Sequence, residues 1–217
     1  MVIDVDEFAT INTNYEHSDA ILNRYGGSRK PTIFESIQAS PLHRNSTCVT
    51  MPRLRFGTHI DDQNSTRESW IPTGLDFKDS DFLTLQWKWR SPLIARKYNK
   101  LPKSMIDVSA IDSFDRQDTD MHRPVRSACP RQNLYIQNYD SPWVVHHYVG
   151  TREQFHFRKD ARKGMDTRSE EKLQEYRQIR GAMEDSICDW LQEFVDSAGL
   201  EQAQKLLAGV GNVSFSE

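Results

Sequence analysis

Apolar and polar positions along the chain follow two different periods. Met1-Val2-Ile3 run straight into Asp4-Val5-Asp6-Glu7, which predicts a strand over residues 1–8 that ends in a carboxylate-rich turn. A short helix is expected around Ser18–Tyr25, stopped by Gly26-Gly27. TIFESI (32–37) and CVTMPRLRFG (48–57) alternate apolar with polar residues and predict strands. From His59 to Asp81 the chain is polar and rich in breakers, the pattern of a long surface loop. DFLTLQWKW (81–89) alternates again and predicts a strand marked by Phe82, Leu85 and Trp87 or Trp89. Residues 109–133, with Pro124 and Pro130, read as loop, and WVVHHYVG (143–150) as a short apolar strand.

The period then lengthens. REQFHFRKDARKG (152–164) is helix-like and basic, and ends at Gly164. Thr167-Arg168-Ser169-Glu170 has the spacing of a capping box, hydroxyl first and carboxylate three residues on. After it, Leu173, Tyr176, Ile179, Met183, Ile187, Trp190, Leu191, Phe194 and Val195 recur at three- and four-residue steps. This predicts one long amphipathic helix, stopped by Gly199, and a shorter helix over Glu201–Leu207. The expected class is α/β, with residues 1–164 as one domain and 165–217 as a C-terminal helical extension.

Composition narrows the class. The chain has 217 residues, 37% hydrophobic and 27% charged, with five Trp, seven Tyr and ten Phe. That many aromatic residues suit a packed core rather than a disordered chain. A net charge of −3 gives no global basic field for nucleic acid, so no nucleic-acid partner is expected. No apolar run approaches the roughly 18–20 residues of a membrane span, and the first residues do not form a signal peptide. Cys48, Cys129 and Cys188 form no CxxC pair, and their odd count leaves a disulfide open. The sequons at Asn45, Asn64 and Asn212 favour a secretory-pathway lumen.

The carboxylates invite a chemical reading. In a strand, alternate side chains share a face, so Asp4 and Asp6 would stand side by side. Left bare they repel one another, and a hard divalent cation such as Mg²⁺ or Mn²⁺ relieves that repulsion. The plain alternative is a solvated turn. Other features also have plain readings. His146 and His147 should point to opposite faces, and His146 suits a hydrogen-bonded core position. The basic stretch Lys88–Lys103 suits a solvated face better than a binding groove, and the Leu173–Val195 stripe suits core packing. Trp87 and Trp89 suit core more than a sugar-stacking platform.

IDVDEF, at residues 3–8, resembles the Asp-x-Asp strand of nucleotide-sugar glycosyltransferases of the GT-A fold, especially the family 92-like group. HHYVGTREQFHFRKDARKG resembles a late block of the same group: His147-Tyr148 stand at its His-Tyr and Phe155 at its Phe. His146 replaces the Asn that the group carries before His-Tyr. The resemblance implies a GT-A (nucleotide-diphospho-sugar transferase-like) domain. Because βαβ units of about 30 residues each come before the motif in that fold, it also implies that this chain is the C-terminal portion of a longer protein, anchored in a Golgi or ER membrane upstream and inactive by itself.

The same resemblance implies metal-dependent, inverting sugar transfer from a nucleotide-sugar donor to a glycan or glycoconjugate acceptor. Mn²⁺ or Mg²⁺ would be held by Asp4, Asp6 and His147, with Asp6 as the direct carboxylate ligand and Asp4 holding ribose or a metal-bound water. Arg152, Arg158 and Lys159 would meet phosphates or glycan. Asp61, Asp62 and Glu68 are the carboxylates offered as base for the acceptor hydroxyl. Two other readings stand beside this one. A phosphohydrolase of the haloacid dehalogenase type also begins with a strand and Asp-x-Asp, but needs Thr or Val where this chain has Phe8. A non-catalytic interaction module would need no donor pocket.

Overall fold

The computed structural model describes residues 7–24, 30–57, 69–93, 102–110, 129, 140–148, 169–177 and 181–211, and the statements below concern these. The fold is mixed α/β, as expected. It divides into two compact units: residues 1–56 with 91–148, and 57–90 with 149–217.

The first unit is built on strands β1 (Glu7–Ile11), β2 (Cys48–Met51), β3 (Arg53–Gly57), β5 (Lys103–Ile106) and β6 (Trp143–His147). β6 pairs antiparallel with β1 and parallel with β3, giving a mixed sheet. β2 pairs antiparallel with β5 in a separate two-stranded layer. Val49, Met51 and Met105 of the small layer pack with Trp143 and Val145 of the sheet, and Ala9 and Ile11 complete the cluster from β1. Both faces of β2 are covered, so its alternation does not separate buried from exposed residues. β1 corrects the expected opening strand. Glu7 and Phe8, expected in a turn, are its first residues, and residues 1–6 lie outside the described ones.

Helix α1 (Ser18–Arg24) falls where expected. The TIFESI segment does not: it forms helix α2 (Ile33–Ala39) rather than a strand. Thr32 Oγ1 accepts the Glu35 N–H at 3.3 Å, while the Glu35 carboxylate accepts the Thr32 N–H at 2.8 Å. This reciprocal box satisfies backbone donors that an extended chain would leave to a partner strand. Ile33 and Ile37, four residues apart and so on one helix face, then pack onto the sheet core.

The second unit corrects two further expectations. DFLTLQWKW holds a short helix, α3 (Leu83–Gln86), and only then strand β4 (Trp89–Arg90). Asp81 accepts the Lys78 N–H at 2.8 Å and starts a 3-10 turn over Asp79–Asp81 that leads into α3. The long helix is broken in three: α4 (Glu170–Arg177), strand β7 (Ala182–Met183) and α5 (Ser186–Ala198). β7 pairs with β4, and the Glu184 N–H reaches the Lys88 carbonyl at 2.7 Å. The exposed Gly181 just ahead of β7 is poor in a helix, which eases the break.

Gly199 does end α5, at a φ of 78° that a side chain would strain. The closing helix α6 runs Leu200–Gly211, longer than expected. Leu75, Val195 and Ala203 form this unit's core with Ile71, Phe77, Phe194, Ala198 and Leu207. Ile71, Leu75 and Phe77 thus belong to a core and not to the surface loop expected from His59 to Asp81; residues 58–68 lie outside the described ones. Trp87 is core, 1% exposed. Among the described residues no helix is long and apolar enough to cross a membrane.

Candidate functional site

The register of the mixed sheet lines up three polar residues. Glu7 of β1 stands opposite His147 of β6, and Arg55 of β3 stands opposite His147 from the other side. Paired residues on adjacent strands share a face, so Glu7, His147 and Arg55 form one row. The next row on that face is Ala9, Val145 and Arg53, and the next adds Ile11 and Trp143. The layer between the sheet and the β2–β5 pair is therefore apolar at one end and ionic at the other.

At the ionic end the side chains are dry. Lys103 is fully buried, and Glu7 and Arg53 are 3% and 4% exposed. Lys103 Nζ lies 2.9 Å from Glu7 Oε2, and Arg53 Nη1 lies 3.3 Å from Glu7 Oε1. Lys103 continues the face of β5 that carries Met105 and stands opposite Met51, a member of the apolar cluster. This corrects the solvated reading of the basic stretch at both its ends. Lys103 is interior, and Lys88 is 8% exposed with its ammonium 5.6 Å from the Trp70 ring centroid. Residues 94–101 lie outside the described ones.

His147 closes β6 and is half-buried. His146 points to the other face, as alternation requires. It is buried, with its ring 4.7 Å from Phe56. Tyr148 stacks on Phe56 at 4.5 Å and meets Phe8 edge-on at 5.7 Å. Phe8 thus fills an aromatic cluster at the position where a haloacid-dehalogenase-type enzyme would turn its backbone toward phosphate.

Of the residues picked from the sequence, His147 is described. Asp4, Asp6, Asp61, Asp62, Glu68, Arg152, Arg158 and Lys159 lie outside the described residues. Among the described residues no three His, Cys, Asp or Glu side chains converge as a metal site. Glu7, third in the carboxylate run, meets a cation with each of its oxygens and so acts as an anchor for the strand. Its role escaped the sequence reading because its partners lie on β3 and β5, far away in the chain. The visible signal was an Arg at alternate positions of RLRF, which puts Arg53 and Arg55 on one face.

A second polar group sits beyond the opposite end of β1. Tyr15 Oη and Ser40 Oγ are 2.6 Å apart, and Ser40 Oγ is 3.0 Å from His43 Nδ1. Burial lowers the His43 pKa, against the nearby Asp140 charge, which raises it. Burial raises the Tyr15 pKa, against the Ser40 hydrogen bond, which lowers it.

Cys48 of β2 is joined to Cys129 by a disulfide, with Cα atoms 5.2 Å apart. Asn45, the first sequon, is exposed in the turn before β2. Comparison with family models, with curated proteins and with solved structures returns no match.

Proposed function

We propose that this chain takes part in metal-dependent transfer of a sugar from a nucleotide-sugar donor to a glycan hydroxyl, in a GT-A-type arrangement. The observation that carries the reading is the register of β1 on β6. Glu7, next to Asp6 in the chain, is the partner of His147, so the two sequence blocks that resemble the transferase group meet on adjacent strands. Asp4, Asp6 and His147 are the residues that would hold the metal. This requires a turn rather than a continued strand ahead of Glu7, since alternation would otherwise send Asp6 to the face opposite His147. Two carboxylates with one imidazole suit Mn²⁺. The metal would supply charge stabilisation to the departing diphosphate. Lys103 and Arg53 fix Glu7 and with it the start of β1. Arg152 and Lys159 would meet phosphate, and one of Asp61, Asp62 and Glu68 would take the acceptor proton. The Cys48–Cys129 disulfide and the exposed Asn45 support a Golgi or ER lumen, where such bonds persist.

Calorimetric titration of Mn²⁺ in the presence of a nucleoside diphosphate tests this reading. His147→Ala should weaken binding about tenfold or more, and Asp6→Ala should abolish it, while His146→Ala should leave it unchanged. A wild-type chain that binds no Mn²⁺ under these conditions would leave the interaction-module reading in its place.

A further inference from the structure

We propose that Tyr15, Ser40 and His43 form a proton-operated latch, which holds the turn at residues 40–46 at neutral pH and loosens it when His43 gains a proton. The latch lies outside the transferase site and does not rest on that reading.

The geometry sets the logic. Tyr15 is 2%, Ser40 0% and His43 9% exposed, so the chain of hydrogen bonds is shielded from water. With His43 neutral and Nδ1 bare, Tyr15 donates to Ser40 and Ser40 donates to Nδ1, and both hydroxyl hydrogens have an acceptor. An imidazolium carries a hydrogen on Nδ1 and must donate it. Ser40 Oγ then accepts from Nδ1, and only one of the two hydroxyl hydrogens, that of Ser40 or that of Tyr15, can still bond within the group, so the other loses its partner there. A buried unsatisfied donor and a buried charge oppose that state together.

The latch also ties together segments that are distant in the chain. Tyr15 follows β1, and its N–H reaches the Asn12 carbonyl at 3.0 Å. Ser40 caps the end of α2, where its N–H reaches the Ile37 carbonyl. The N–H groups of His43 and Arg44 both reach the Ser40 carbonyl, and the Ser46 N–H reaches the His43 carbonyl at 2.9 Å. This turn leads directly into Cys48 and β2.

Among the described residues, the following charged and titratable groups lie around His43. The Tyr15 ring centre is 6.2 Å from that of His43, and His17 lies edge-on to Tyr15 at 5.4 Å. Glu16 stands beside them, Asp140 faces the group from the segment ahead of β6, and Arg44 follows His43 as an exposed residue. Asp140 favours the imidazolium but does not reverse the effect of burial. Because the folded chain binds the His43 proton more weakly than the unfolded chain, the latch contributes fully above the ordinary histidine range. Its contribution is lost as pH falls from about 6.5 through the lowered folded value.

Amide hydrogen exchange on the full 217-residue chain, corrected for intrinsic rates, reads the latch directly. Protection at Arg44 and Ser46 should fall about tenfold between pH 7.5 and 5 in the wild type. It should stay flat in His43→Asn, whose side-chain oxygen can accept from Ser40 but does not titrate. An equal fall in His43→Asn, or no fall in the wild type, overturns the proposal. If that variant does not fold, the wild type still decides through the NMR titration of its His43 ring. The loss of protection must share its midpoint with that ring, and a midpoint that follows His17 or any other histidine overturns the latch.

Discussion

Lys103 shows how much of this protein is decided by single residues out of sight of their neighbours in the chain. A fully buried ammonium is costly unless paired, and here the Glu7 carboxylate lies 2.9 Å away, itself held from the other side by Arg53. The cluster fixes which residues of β1 face the core, because a one-residue slip would put Phe8 against Lys103 and turn Glu7 to the other face. Lys103→Met keeps the length of the side chain and removes its charge. It should cost about 3 kcal/mol in urea unfolding, the scale seen when one partner of a buried pair is removed. A loss under about 1 kcal/mol would mean that Arg53 alone suffices for Glu7. His147 stands in the same row but is half-buried, so His147→Ala should act on Mn²⁺ binding far more than on stability.

Among the elements, α2 is the one whose local chemistry overrides its apparent pattern. Its first turn is closed by Thr32 and Glu35, each accepting a backbone N–H of the other. Thr32→Ala should destabilise the chain by about 1 kcal/mol in chemical denaturation, and Thr32→Ser by only a few tenths. A strand would be indifferent to that difference, so the pair of variants separates the two structures. β7 makes the opposite point. Ala182 and Met183 sit in a segment with helical spacing, yet they pair with Arg90 and Trp89. Arg90 Nε lies 3.7 Å from the Glu184 carboxylate just beyond them, a partly exposed contact that adds little.

At the scale of the whole chain, the disulfide is the strongest covalent restraint. It links residues 81 positions apart and joins β2 to the segment that carries Cys129. On the chain-entropy account, a loop of that size stabilises the folded state by about 4.5 kcal/mol. Reduction, or Cys129→Ser, should therefore lower the thermal midpoint by about 10 °C in a scan with and without reductant. An unchanged midpoint would show that the bond does not form in the purified protein.

The sequence by itself determined α1, β6, the extended course of residues 48–57, the stop at Gly199 and the opposite facing of His146 and His147. These depend on local spacing, on glycine, or on the two-residue period of a strand. It read residues 48–57 as one strand, which the structure divides into β2 and β3 with different partners. It also carried the spacing for the α2 cap, Thr32 with Glu35 and Ile33 with Ile37, though alternation masked it. Only the tertiary structure decided that β7 interrupts the long helical stripe, since its partner β4 lies far back in the chain. Tertiary structure alone also decided that Glu7 is the buried partner of Lys103 and Arg53. A hydrophobic pattern records which faces are covered, but an ion pair between distant strands leaves no periodic trace. The chain shows Glu7 and Lys103 only as two charged residues, and the sheet brings them within 2.9 Å.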